Sequence, residues 1–108
     1  MRKLNEKDIE ILKKLAPEAN IPTHHRSILP PVSMHFADDE EDLQNRLKRL
    51  STEDLKYLAD RILDGSECLL CISPEAAGMF LDLLEESVPG DTAKKIRDQY
   101  NSRTGYNV

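Results

Sequence analysis

The sequence predicts an all-α protein, a compact bundle of about five helices arranged around a central helix at 74–88. In that segment apolar side chains cover an arc of about 200° on a helical wheel, so several neighbours must surround it. Elsewhere, apolar residues recur at helical spacing behind residues that cap helix starts. We therefore expect helices near 5–16, 38–50, 52–64, 74–88 and 91–101.

The length and composition predict one folded domain. Of the 108 residues, about a quarter are Leu, Ile, Val or Phe, which is enough for one hydrophobic core. We expect a single helical domain at 1–100 and a flexible C-terminal tail at 101–108. The predicted core consists of Ile9, Leu12, Leu47, Leu55, Leu58, Ile62, Ala77, Phe80, Leu81 and Leu84.

The first helix has a capping box at its start. Asn5 is the predicted cap and Asp8 follows three residues later, while Leu4 and Ile9 occupy the positions of a hydrophobic staple. Pro17 ends the helix because proline cannot continue the backbone hydrogen bonding.

A proline-rich extended strap is predicted at 17–36. It holds four prolines, yet it also holds too many apolar residues for a solvated linker, so we expect it to lie across the core. Val32, Met34 and Phe36 alternate with polar residues, which is the period of an extended chain with one buried side. The pattern leaves open whether this part is a short edge strand or an irregular strap.

The next two helices follow an acidic run at 38–42. We attribute that run to a favourable helix N-terminus rather than to a calcium site, since the central glycine of a calcium loop is absent. Ser51 and Asp54 form a second predicted capping box, and the apolar spacing from Leu55 to Leu63 is that of an amphipathic helix. Gly65 ends it.

The remaining elements are a connection, the central helix and a last helix. For 66–72 we favour one helical turn over a short extended piece. Ser73 caps the central helix, and Pro89 with Gly90 ends it. Asp91 is the predicted cap of the last helix.

Composition and motifs limit the functional classes. A formal net charge of −5 opposes binding to nucleic acid or anionic lipid, and neither a membrane span nor a signal peptide is apparent. No catalytic motif is recognised. We expect a small non-enzymatic cytoplasmic protein without a cofactor, acting as a protein-protein interaction or regulatory module.

The strap supplies the predicted partner site. Its apolar side chains would be accessible to a protein partner or to a second copy in self-association. The candidate partner-binding residues are Ile28, Leu29, Val32 and Met34.

The sequence leaves two alternative functions open, nucleic-acid binding and zinc binding. The basic helix at 91–103 carries Lys94, Lys95 and Arg97, which suit nucleic-acid phosphates, although neighbouring acidic residues oppose that function. A zinc-binding module would use the C-x-x-C pair with upstream histidines, namely Cys68, Cys71, His24, His25 and His35. A single such pair is a weak metal motif, and we expect both cysteines to be reduced thiols in the core.

Overall fold

A computed structural model describes residues 4–18, 27–29, 32–70 and 72–108 of the chain, with only the backbone described at 34 and 35. The described residues contain five α-helices and one π-helical segment, Val32–Phe36, between the first two of them. The α-helices are α1 (Glu6–Leu15), α2 (Glu40–Leu47), α3 (Thr52–Leu63), α4 (Pro74–Ser87) and α5 (Thr92–Thr104). This arrangement confirms the all-α prediction, and the described ranges contain no β-strand.

Helix starts follow the predicted caps in three cases. Asn5 and Asp8 exchange two backbone-to-side-chain hydrogen bonds of 2.8 and 2.9 Å, and Ser51 and Asp54 form the same capping box. Ser73 Oγ accepts a hydrogen bond from the Ala76 N–H at 3.2 Å. These bonds satisfy N–H groups that have no partner within the first turn of a helix.

Asp91 occupies the predicted N-cap position of α5 but differs from the other caps. Asp91 precedes α5, but its side chain makes no capping hydrogen bond. Its carboxylate lies 3.6 Å from Lys95 Nζ, one helical turn further on.

The central position of α4 is confirmed by its neighbours. It packs against α2, α3 and α5, while α1 packs against α2 and α3 contacts α5. The inward side chains of α4, including Ala77, Phe80 and Leu84, are fully buried. Nine of the ten predicted core residues are buried, and Ile9 packs against the core while remaining partly exposed.

The strap differs from its prediction where the structure describes it. Val32–Phe36 forms a π-helical turn, in which the Ala37 N–H donates to the Val32 carbonyl at 3.0 Å, instead of an extended segment. No strand lies beside it in the described part of the chain, so an extended segment would leave backbone groups unpaired. The prolines at 22, 30 and 31 lie outside the described residues.

Two other segments also differ. The described part of 66–72 forms turns and bends rather than the favoured helical turn.

The predicted tail begins inside α5, which continues to Thr104 and ends at Gly105 with φ +79°. Beyond it, Tyr106 stacks on Tyr100 with ring centroids 6.4 Å apart, and the Val108 N–H donates to Asn101 Oδ1 at 2.9 Å. Contacts within the domain therefore hold these last residues.

None of the described helices combines the length and the apolar character that crossing a bilayer requires.

The core position of Phe80 gives a direct stability test. Phe80→Ala removes a fully buried ring from α4 and leaves a cavity. We expect the free energy of unfolding, measured by urea denaturation, to fall by roughly 3–5 kcal/mol. A loss below about 1 kcal/mol would show that Phe80 is not part of a close-packed core.

Candidate functional site

A cavity of about 300 Å³ lies between the end of α3, the loop that follows it, and α5. The loop begins at Gly65, whose φ of +84° lets the chain turn sharply after α3. Asp64 Oδ1 then accepts a hydrogen bond from the Ser66 N–H at 2.8 Å, which fixes this turn. The lining residues are Ile62, Leu63, Asp64, Gly65, Glu67, Cys68, Leu69, Leu70, Ile96, Gln99, Tyr100 and Arg103.

Two exposed apolar side chains line this cavity, and a third stacks on one of its wall residues. The described residues contain three exposed large hydrophobic side chains: Leu63 at 45%, Leu70 at 42% and Tyr106 at 51%. Leu63 and Leu70 line the cavity, and Tyr106 stacks on Tyr100, which also lines it. We call Leu63, Leu70, Arg103 and Tyr106 together the Leu70 surface.

The rim of the cavity carries charges of both signs. Asp64 lies on the α3 wall and Arg103 lies on the α5 wall. Arg103 is exposed and forms no ion pair with any residue in the described ranges. The rim therefore presents a cation that has no carboxylate partner among those residues.

A buried ion network lies behind the loop. The Arg61 guanidinium in α3 donates to Asp8 Oδ1 in α1, and its Nη2 also donates to the Ser66 carbonyl at 3.2 Å. The same Nη2 lies 3.8 Å from Glu67 Oε2. All three charged side chains are buried. Tyr57 completes the set by donating its hydroxyl to Asp8 Oδ1 at 2.7 Å.

Glu67 connects this network to the strap. Its carboxylate accepts the N–H groups of Ile28 and Leu29 at 2.8–3.0 Å. Burial raises the pKa of Glu67 to about 7, although these hydrogen bonds and the Arg61 charge act in the opposite direction. Since Glu67 also lines the cavity, one side chain holds the strap and forms part of the cavity wall.

A second buried carboxylate, Asp54, joins α3 to α1. Lys7 Nζ and Lys14 Nζ each lie 2.6 Å from one of its oxygens. Burial alone would raise the pKa of Asp54, but the hydrogen bonds from Lys14, Lys7 and Ser51 lower it below the usual range. The carboxylate therefore stays ionised and keeps the two helices together at neutral pH.

Three of the four predicted partner-binding side chains are not accessible to a partner. Ile28, Leu29 and Val32 are buried in the hydrophobic core, and the side chain of Met34 lies outside the described residues. Their apolar character stabilises the packing of the strap instead. The exposed apolar side chains lie instead at the Leu70 surface, which the sequence analysis did not predict. The available signal was Leu63, an apolar residue at the end of a helical face that is otherwise buried.

The basic residues of α5 are spread over its surface rather than joined into one strip. Lys94 and Lys95 are exposed, but Arg97 is half-buried and pairs with Asp82 at 2.8 Å and Glu85 at 3.1 Å. These carboxylates compete with phosphate for the guanidinium. Nucleic-acid binding stays an untested alternative, and the ion pairs of Arg97 weigh against it.

The prediction that Cys68 is a reduced thiol is wrong, because Cys68 is disulfide-bonded. A disulfide sulfur is not the thiolate that zinc requires. Cys71, His24, His25 and the side chain of His35 lie outside the described residues, so the zinc alternative remains a prediction. Within the described ranges, no cluster of three or more His, Cys, Asp or Glu side chains is placed to hold a metal ion.

Comparison of the chain with protein-family models, with curated proteins and with solved structures finds no match. The geometry of the molecule therefore carries the functional argument.

The pKa of Glu67 predicts a pH effect on stability. The folded protein holds the proton up to about pH 7, whereas the unfolded chain releases it near the ordinary value of 4.5. The folded state thus binds more protons between these values, and the free energy of unfolding should fall by roughly 3 kcal/mol as pH rises through this window.

Glu67→Gln is the matched control for this pH effect. The amide cannot titrate but keeps an oxygen that accepts the hydrogen bonds of Ile28 and Leu29. Urea denaturation from pH 4.5 to 7 should therefore show a shallower decline in the variant than in the wild type. Equal slopes would show that Glu67 does not titrate in this range.

Proposed function

We propose that the protein is a small non-enzymatic protein-interaction module that binds its partner through the Leu70 surface. The observation that carries this proposal is that the exposed side chains of Leu63 and Leu70 line one cavity, while exposed Tyr106 stacks on Tyr100 in the cavity wall. An exposed apolar patch with a polar rim is typical of protein-binding sites, because water is displaced from it when a partner binds.

The cavity is large enough to accept a side chain of a partner protein. Its volume of about 300 Å³ is at the lower end of the range for small-molecule pockets, roughly 300–1,000 Å³. It therefore suits one inserted apolar side chain. Leu63 and Leu70 would contact that side chain and exclude water from it.

The frame behind the surface supports binding without a large rearrangement. Arg61 and Glu67 fix the loop from its buried side, and Tyr106 is held by its stacking on Tyr100. A surface that is already ordered loses less conformational entropy when a partner binds. We propose that this module acts in the cytoplasm as a binding or regulatory component. The disulfide at Cys68, a bond that reducing compartments disfavour, is the feature that opposes this location.

Photocrosslinking from position 70 tests the proposal. A benzophenone amino acid replaces Leu70 in the cells that naturally express the protein, and the covalent adducts are identified by mass spectrometry. We expect a defined protein adduct from position 70 and none from position 94, an exposed site on α5 that lies about 180° around the helix from Arg103.

A second change at the same surface shows whether the adduct depends on the cavity. Adding Leu63→Glu places a charge at the exposed edge of the cavity and should reduce the adduct from position 70 by about tenfold. Failure to form an adduct from position 70, or equal yields from positions 70 and 94, would contradict the proposed function.

A further inference from the structure

We propose that the disulfide at Cys68 is a thiol-exchange site, where a small thiol that enters the cavity between α3 and α5 reversibly reduces the bond. The chain contains two cysteines, so a disulfide within the chain joins Cys68 to Cys71, with Leu69 and Leu70 between them. This inference goes beyond the proposed function and does not depend on which partner the Leu70 surface binds.

The bond closes a short ring, which makes it a weak staple for the fold. A disulfide stabilises a protein mainly by restricting its unfolded chain, and this effect grows with the number of residues in the closed loop. Here only two residues separate the cysteines. Stabilisation therefore accounts poorly for the bond, whereas a reversible role suits the proposed cytoplasmic location, because disulfides in reducing compartments are usually transient.

Other contacts hold the loop on both sides of Cys68. Before it, the buried Glu67 carboxylate accepts the N–H groups of the strap. After it, the side chains of Leu69 and Ile72 are buried, and the Ile72 carbonyl accepts a hydrogen bond from the Tyr100 hydroxyl at 3.2 Å. Reduction of the disulfide therefore leaves the loop attached to the core, as a reversible reaction requires.

Cys68 is placed where a small thiol can reach it. The residue is partly exposed and lines the cavity of about 300 Å³. Thiol–disulfide exchange depends on access to the sulfur that is attacked, and exposed disulfides are the more readily reduced ones. We therefore assign Cys68 Sγ as the atom that the incoming thiolate attacks.

The charge at the cavity rim favours an anionic thiol. Among the described lining residues, Arg103 is the cation, and it forms no ion pair within the described ranges. The carboxylates of Asp64 and Glu67 oppose an incoming anion, but they accept hydrogen bonds from the Ser66 N–H and from the strap. Arg103 is therefore the charge with which the anion pairs, and a neighbouring cation also favours the reactive thiolate form.

The exchange consists of two steps. A thiolate forms a bond to Cys68 Sγ while the protein disulfide breaks, and the electron pair of that disulfide leaves on the Cys71 sulfur. A second thiolate attacks the sulfur of the bound thiol, and the electron pair of the mixed disulfide leaves on Cys68 Sγ. The two protons released by the incoming thiols protonate the two cysteines. Two thiols are oxidised to one small disulfide as the protein disulfide is reduced, and the reverse reaction restores it.

Equilibration of the full chain with glutathione tests the exchange. In about 10 mM reduced and about 0.1 mM oxidised glutathione, about one tenth of the chains or more should carry two thiols, whereas a structural disulfide would open in only about one chain in a hundred. Maleimide trapping with mass spectrometry counts the reduced chains. Additional oxidised glutathione should then restore the disulfide.

Circular dichroism of the reduced chain shows whether the loop contacts are sufficient without the bond. We expect the helical spectrum to be retained. A reduced fraction below about one tenth, or loss of the helical spectrum on reduction, would overturn the inference.

A charge reversal at the rim tests the route of entry. Arg103→Glu should lower the rate of reduction by glutathione, an anion, relative to cysteamine, a cation, by at least about threefold. Lys94→Glu makes the same change of charge on the opposite side of α5 and should leave this rate ratio at its wild-type value. Equal ratios in the two variants would show that thiols do not reach Cys68 through this cavity, and would overturn the inference.

Discussion

The buried guanidinium of Arg61 is the interaction on which the arrangement of this fold depends. It is almost entirely removed from solvent, and it joins Asp8 in α1 to the loop after α3 through Ser66 and Glu67. A buried charge is strongly destabilising unless it is paired and hydrogen-bonded, so removing one partner costs several kcal/mol. Asp8 also closes the capping box of α1, which couples the start of that helix to the same cluster.

The candidate site follows from this network. Arg61 fixes the loop at Ser66, and Glu67 fixes the strap through the N–H groups of Ile28 and Leu29. On the other side of the same loop, Leu70 reaches the surface beside Leu63 and the cavity. The loop therefore has a buried side that is held by Arg61 and an exposed side that carries Leu70.

Local sequence signals predicted the helices and most of the core. Caps such as Asn5 with Asp8 act within four residues, and the apolar spacing of a helix is independent of its neighbours. The network was not predictable in this way, because Asp8 and Arg61 are 53 residues apart and neither forms a recognisable motif. The turn at Val32–Phe36 was missed for a related reason, since an alternation over five residues does not determine the backbone without knowledge of neighbouring strands. Exposure of Leu70 depends on the loop and could not be read from composition.

Hydrogen exchange at the strap tests most directly whether the network holds this part of the fold. Glu67→Ala removes the acceptor of the Ile28 and Leu29 N–H groups but leaves the apolar packing of α4 intact. NMR-detected exchange of these two amides should accelerate by at least about tenfold more than exchange of the α4 amides, since leaving a buried N–H without its acceptor costs roughly 1–3 kcal/mol. Unchanged exchange at Ile28 and Leu29, or equal acceleration throughout α4, would contradict the account.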